Sequence, residues 1–236
     1  MSSLDGRVIA IAGAGGGLGP VVAARLAAQG AIVAGTDRDQ SRLDAVASDL
    51  GLAADRWDGR AMDLLEEEAA RQWCDALAER FGHVDGLLHL VGGWRGGKPL
   101  HESPPEDWDF LHDLLIRTVQ NTTRAFHSQL VASDHGRFVL VSAKQAQQPS
   151  NDNAAYASAK AAAEAWTLAL ADGFRETRAT ANIVVINAIL TPLMRAENPD
   201  KPFQTLTPAE DIAGAIAFIC SDEGESMNGQ RLSLHS

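Results

Sequence analysis

The sequence predicts an α/β fold, a doubly wound parallel sheet of about seven strands with helices on both faces. Three observations carry that reading. Short apolar runs alternate with helical patterns along the chain. The runs are apolar at successive residues, as in strands covered on both faces. A glycine-rich stretch, AGAGGGLG (12–19), joins the first run to the first helix.

Each element has a local reason. Residues 7–13, RVIAIAG, read as a buried strand. Residues 20–29 read as a helix with Pro20 in its first turn, where its missing N–H costs nothing. AIVAGTD (31–37) is a second strand, 41–50 a helix, and 60–63 a short third strand. A helix over 66–81 begins with acidic residues, which suit its dipole, and ends at Gly82. VDGLLHLVGG (84–93) is a fourth strand. A single long helix over 104–133 is marked by Pro104 and Pro105. Residues 136–143 form a fifth strand, 154–177 an Ala-rich helix, and 179–190 hold a sixth strand. A helix follows Thr207 and Pro208, and GQRLSLHS (229–236) is a last strand. No repeat or linker interrupts residues 1–236, so one domain is expected, with the Pro-containing polar stretch 191–207 as a possible lid.

Composition excludes several classes. A net charge of −11 argues against nucleic acid or an anionic membrane as partner. No run approaches the roughly 20 apolar residues of a membrane span, and the N-terminal residues lack a signal-peptide pattern. Cys74 and Cys220 are isolated and the histidines show no ligand spacing, so neither metal nor disulfide is expected. A cytoplasmic protein acting on a small molecule fits these facts.

The glycine stretch points to a dinucleotide. Gly13, Gly17 and Gly19 follow a strand and open a helix, so the backbone can approach a pyrophosphate that meets free N–H groups. Asp37 ends the second strand 18 residues after Gly19, where a carboxylate accepts both ribose hydroxyls and repels a 2′-phosphate. NAD(H) is therefore favoured, and Arg38 keeps NADP(H) open. Asp63, after the third strand, is a candidate for the adenine amino group or for a helix cap.

Tyr156 and Lys160 stand one helical turn apart, and Tyr156 is the only tyrosine. An ammonium beside a phenol lowers its pKa and makes it a usable acid or base near neutrality. With the glycine loop, Asp37, Asp63, the Gly92–Gly93 turn, YASAK (156–160) and TPAEDIAGAIAFICSDEGESMNGQ (207–230), the chain resembles the short-chain dehydrogenase/reductase family over essentially its whole length. The resemblance implies a Rossmann-type sheet and hydride transfer with Tyr156 as proton donor. It implies that Lys160 holds the nicotinamide ribose and supports Tyr156. It places Leu18, Leu64, Val91, Gly92, Gly93 and Thr191 at the cofactor, and it implies a homodimer or homotetramer.

The chain departs from the family pattern. The serine expected thirteen residues before the tyrosine is Ala143, with Ser142 beside it pointing to the other face of the strand. The expected asparagine is Leu115, with Asn121 six residues further on. The turn after the fourth strand reads HLVG, His89 to Gly92. Losing one oxyanion-type donor costs ~10²–10³ in rate. The chain is similar to dihydropteridine reductases over GGWRGG (92–97), over Ala143–Lys144 and over TPLMR (191–195), and their electron-poor substrate needs little activation. The expected substrate is thus a pterin, a quinone-like ring or another conjugated carbonyl. The alternative is a catalytically weak or silent NAD-binding or scaffolding member. Trp94, Ala143, Lys144 and Met194 are candidate substrate contacts, and Lys144 or Ser142 is a candidate replacement for the missing serine.

Overall fold

The computed structural model describes residues 3–235. The chain alternates strand and helix: β1 (Val8–Ala12), α1 (Gly19–Ala27), β2 (Ile32–Asp37), α2 (Gln40–Leu50), β3 (Trp57–Ala61), α3 (Glu67–Phe81) and β4 (Gly86–His89). Then come α4 (Pro105–His112), a π-helical turn (Asp113–Arg117), α5 (Thr118–Ala132), β5 (Arg137–Ala143), α6 (Ala154–Gly173) and β6 (Thr180–Ile186). A small pair, β7 (Ile189–Leu190) and β8 (Thr207–Pro208), brackets α7 (Pro192–Glu197). The chain closes with α8 (Ala209–Cys220) and β9 (Arg231–Ser233).

Seven strands form one parallel sheet in the order β3-β2-β1-β4-β5-β6-β9. Parallel neighbours need crossovers, and the helices supply them. Because successive side chains on a strand face opposite ways, β1 divides its residues between two cores. Ile9 and Ile11 pack with α1 and α8 residues such as Val22 and Ile216, whereas Val8, Ala10 and Ala12 pack with α3 and α5 residues such as Trp73 and Phe126. Trp73 meets Phe126 edge-on at 5.0 Å between ring centres, which locks α3 to α5. The strand order reverses between β1 and β4, and a crevice opens there at the carboxyl ends of the strands.

Four boundaries differ from expectation. The third strand is Trp57–Ala61 rather than 60–63, and it pairs with β2 from Val33↔Trp57 to Asp37↔Ala61. Its polar sequence is accommodated because Asp58, nearly buried, takes both Arg60, at 2.6 Å, and Arg80. The fourth strand stops at His89, since Val91–Gly93 diverge to line the crevice. The long helix starts at Pro105 and is broken by the π turn. The Ala-rich helix ends at Gly173, capped by the N–H of Phe174.

Candidate active site

The crevice is a cleft of about 840 Å³. Its floor is the β1–α1 loop. Gly13 has φ 87°, and a Cβ there would lie 2.9 Å from the Val91 nitrogen, so only glycine lets the loop approach the β4 end this closely. Gly13, Gly17 and Leu18 line the cleft, and Leu18 stands at the N-cap of α1. Gly19 serves packing instead: a Cβ would come within 2.2 Å of the Ala14 carbonyl oxygen.

At one end lie Asp37, Arg38, Asp63 and Leu64, joined by Arg42, Met62 and Leu65. Asp37 is free of helix capping, because Asp39 takes that role and accepts from the Ser41 N–H at 2.9 Å. Arg38 forms an ion pair with Asp63 at 3.2 Å. Asn121, buried on α5, donates to the carbonyl oxygens of Leu64 and Leu65, each at 3.0 Å, and fixes this wall.

At the other end the carboxyl terminus of β5 meets α6. Tyr156, Lys160, Val141 and Ala143 line the cleft here, with Val91, Gly92, Gly93 and Trp94 opposite. Lys160 is buried, and its Nζ donates to the Val141 carbonyl oxygen at 3.0 Å. Burial lowers the Lys160 pKa to about 8, against the opposing pull of Glu164. Burial raises Tyr156 to about 12. The expectation that the ammonium lowers the phenol is thus not met in the protein alone, because burial disfavours the phenolate. Such a phenol stays protonated near neutrality, so the arrangement can deliver a proton.

The hydroxyl of Ser142 is committed to the buried Glu164 carboxylate at 2.6 Å, as the strand alternation predicts. Leu115 is buried against α6, and its neighbours Asp113 and Leu114 are the residues of the π turn that reach the cleft. Trp94 is 59% exposed and Phe110 38% at the mouth. Arg95 stacks on Phe110 at 3.8 Å, and the Gly97 N–H donates to the Asp152 carbonyl at 2.7 Å. The segment is therefore tied at two points just after Trp94.

Lys144, Thr191 and Met194 are not among the cleft-lining residues. Thr191 caps α7 by accepting from the Met194 N–H at 3.2 Å, and its methyl would lie 3.1 Å from a Cβ at Gly17. Several lining or supporting groups escaped the sequence reading. Gln145 lines the cleft, with its carboxamide oxygen buried and unpartnered. His89 sits buried between Thr118, 3.1 Å from Nε2, and Thr122, 3.2 Å from Nδ1. Thr118 in turn donates to the Leu114 carbonyl at 2.7 Å. Burial, with Lys160 nearby, holds His89 down at about 3 and therefore neutral. The period-2 alternation of β5 separated Ser142 from Ala143, but nothing in the sequence names its partner Glu164, and Ser142 still borders the cleft.

Among the described residues no group of three or more His, Cys, Asp or Glu could hold a metal. No helix of the described chain is long and apolar enough to cross a membrane. Both cysteines are free and buried, and burial pushes each thiol up to about 12.

Comparison with known proteins matches this geometry. Residues 7–202 fit the family model for short chain dehydrogenases. The chain is 26% identical over 241 residues to a 3-oxoacyl-(acyl-carrier-protein) reductase of Escherichia coli, covering 99% of this chain and 97% of that one. It is 28% identical over 244 residues to a 2,3-dihydroxy-2,3-dihydro-p-cumate dehydrogenase of Pseudomonas putida, covering 98% and 94%. The crystal structure of a 3-ketoacyl-(acyl-carrier-protein) reductase from Brucella melitensis complexed with NADH superposes with a TM-score of 0.85 at 27% identity, covering 99% and 98%. Fold, cleft and relatives agree: the chain belongs to the short-chain dehydrogenase family of oxidoreductases.

Proposed function

We propose that this oxidoreductase is an NADH-linked reductase of an electron-poor conjugated carbonyl, a quinone-like ring or a pterin, with Tyr156 as proton donor. The observation that carries the reading is the make-up of one end of the cleft: Tyr156 and Lys160 present, Ala143 where a second hydroxyl would assist, and Trp94, Phe110 and Leu114 around them. A substrate that accepts hydride readily needs little carbonyl polarisation, so the absent donor costs it less than it would cost a simple ketone.

The cofactor reading rests on the close approach at Gly13, the start of α1 and the carboxylate of Asp37. Gly13, Gly17 and Leu18 would hold the pyrophosphate, Asp37 the adenosine ribose, Asp63 and Leu64 the adenine, and Val91 to Gly93 the nicotinamide side. Arg38, engaged by Asp63, is the residue through which NADP(H) would be accepted instead. The bound nicotinamide supplies the hydride. Lys160, with one protein hydrogen bond to Val141, keeps further ammonium protons for the ribose hydroxyls. Tyr156 gives its proton to the oxygen of a carbonyl or quinone, or to a ring nitrogen of a pterin, and Trp94 stacks on the ring. We also read residues 1–236 as one domain, the 191–207 segment with Thr191 and Met194 as its lid, and a cytoplasmic homo-oligomer as the working form. The similarities at 92–97, 143–144 and 191–195 favour a dihydropteridine-reductase-like substrate.

The test is NADH oxidation against a panel of quinonoid dihydropterin, ortho-quinones and simple aromatic ketones. Turnover of the first two classes well above the ketones is expected. NADH binding with no oxidation by any of them contradicts the proposal.

A further inference from the structure

Glu164 lies one turn beyond Lys160 on α6, and its side chain is only 3% exposed. Three donors hold its carboxylate: Ser142 Oγ at 2.6 Å, Arg231 Nε at 2.7 Å and Gln147 Nε2 at 3.4 Å. A carboxylate buried this far is costly unless donors satisfy it, and here β5, the turn after it and β9 all contribute one. The reading of Tyr156 and Lys160 makes no use of this group.

Lys160 needs a counter-charge. It is buried between α6 and β5 at the edge of the cleft, and its protein hydrogen bond goes to a neutral carbonyl. His89 approaches from β4 and is held neutral. Tyr156, on the same helix face, is a neutral phenol at ordinary pH. Asp113 reaches the cleft from the π turn but is more than half exposed, so water screens it. Arg231 acts only through Glu164 and is 38% exposed at the sheet edge. Glu164 is the one buried anion on the Lys160 face of α6, at the spacing that brings side chains together.

We propose that Glu164 is a positioning residue of the active site, a buried carboxylate that keeps the Lys160 cation charged in a water-poor cleft and is itself held in place by Ser142 and Arg231. The proposal rests on the reading of Tyr156 and Lys160 as the reacting pair. It also explains Ser142, whose hydroxyl anchors the anion and does not substitute for the one missing at Ala143.

The arrangement makes two perturbations act with opposite sign. Glu164→Gln removes a negative charge near Lys160, so the cation is harder to keep. Arg231→Gln removes a positive charge beside Glu164, so the cation is easier to keep. The chain has four lysines, Lys98, Lys144, Lys160 and Lys201, so ¹³C labelling at Cε gives a countable NMR titration on the full chain without any substrate. Lys160 is expected to titrate near 8 in the wild-type protein. Glu164→Gln should move that midpoint down by roughly one pH unit, Glu164→Asp down by less, and Arg231→Gln up. The high-pH limb of NADH turnover should follow each shift.

A midpoint that Glu164→Gln leaves in place overturns the proposal. So does movement in the same direction by Glu164→Gln and Arg231→Gln, which loosened packing alone would give. Arg231 lies at the sheet edge, so its variant reports even if Glu164→Gln fails to fold. If the NMR shifts appear while Tyr156→Phe still turns over, the coupling stands and the reading of the reacting pair fails. The reverse pattern fails the coupling alone.

Discussion

The ammonium of Lys160 donates to the carbonyl oxygen of Val141 at 3.0 Å, which fixes the cation at the carboxyl end of β5 beneath Tyr156. The burial that comes with this position shapes the pH behaviour of the fold. The Lys160 pKa is lowered to about 8 from 10.5, so the folded protein holds the cation less willingly than the unfolded chain. Between those two values the unfolded chain binds more protons, and stability rises with pH. Denaturant titrations from pH 8 to 10 should show the wild-type protein gaining stability relative to Lys160→Met as pH rises. Cys74 and Cys220, raised to about 12 from 9, and Tyr156, raised to about 12 from 10, pull the overall trend downward above pH 9 in both proteins.

On the acid side the relevant group is His89. Its folded pKa is about 3 against 6.5, so protonation favours the unfolded chain as pH falls through 6.5 toward 3. The wild-type protein should lose up to ~1.4 kcal/mol for each pH unit in that window from this residue alone. His89→Asn should lose less, as thermal melts at pH 6.5 and pH 4.5 would read.

Cofactor choice depends on Asp37. Asp37→Ser removes the carboxylate that opposes a 2′-phosphate and leaves Arg38 beside it. NADH affinity should fall about tenfold, and the NADH/NADPH preference should narrow or invert, as fluorescence titration with both cofactors would measure. An unchanged preference places selectivity elsewhere.

The missing hydroxyl can be restored. Ala143 lines the cleft on the same strand end as Val141, so a serine there would face the substrate. Ala143→Ser should raise kcat/KM for a simple aromatic ketone by about an order of magnitude, a modest part of the ~10²–10³ attached to such donors. The rate on an ortho-quinone should change far less.

The sequence was most informative where one physical rule acts alone. Apolar runs gave β1, β2 and β5, and the glycine and proline positions gave the start of α1 and the end of α3. It was least informative where tertiary partners override local character. β3 carries Asp58 and Arg60, and only the pairing of buried Asp58 with the partly exposed Arg60 and Arg80 makes those charges tolerable in a strand. The π turn at Asp113–Arg117 has no mark in the sequence, yet it turns Leu114 rather than Leu115 to the cleft.

In the site, Tyr156 and Lys160 were legible from helical spacing and Ser142 from strand alternation. Glu164, Gln145 and His89 were not, because their settings depend on contacts from other elements. The environment of Tyr156 was also hidden: spacing announced the neighbouring cation, whereas the dominant effect is burial.

The central claim is that Tyr156 donates the proton in reduction of a conjugated carbonyl. The direct measurement is single-turnover NADH oxidation by the wild-type protein and Tyr156→Phe with the same ortho-quinone. The account predicts a loss of ~10²–10⁴-fold in the chemical step with NADH affinity kept within a few-fold. An equal rate in the two proteins would contradict it.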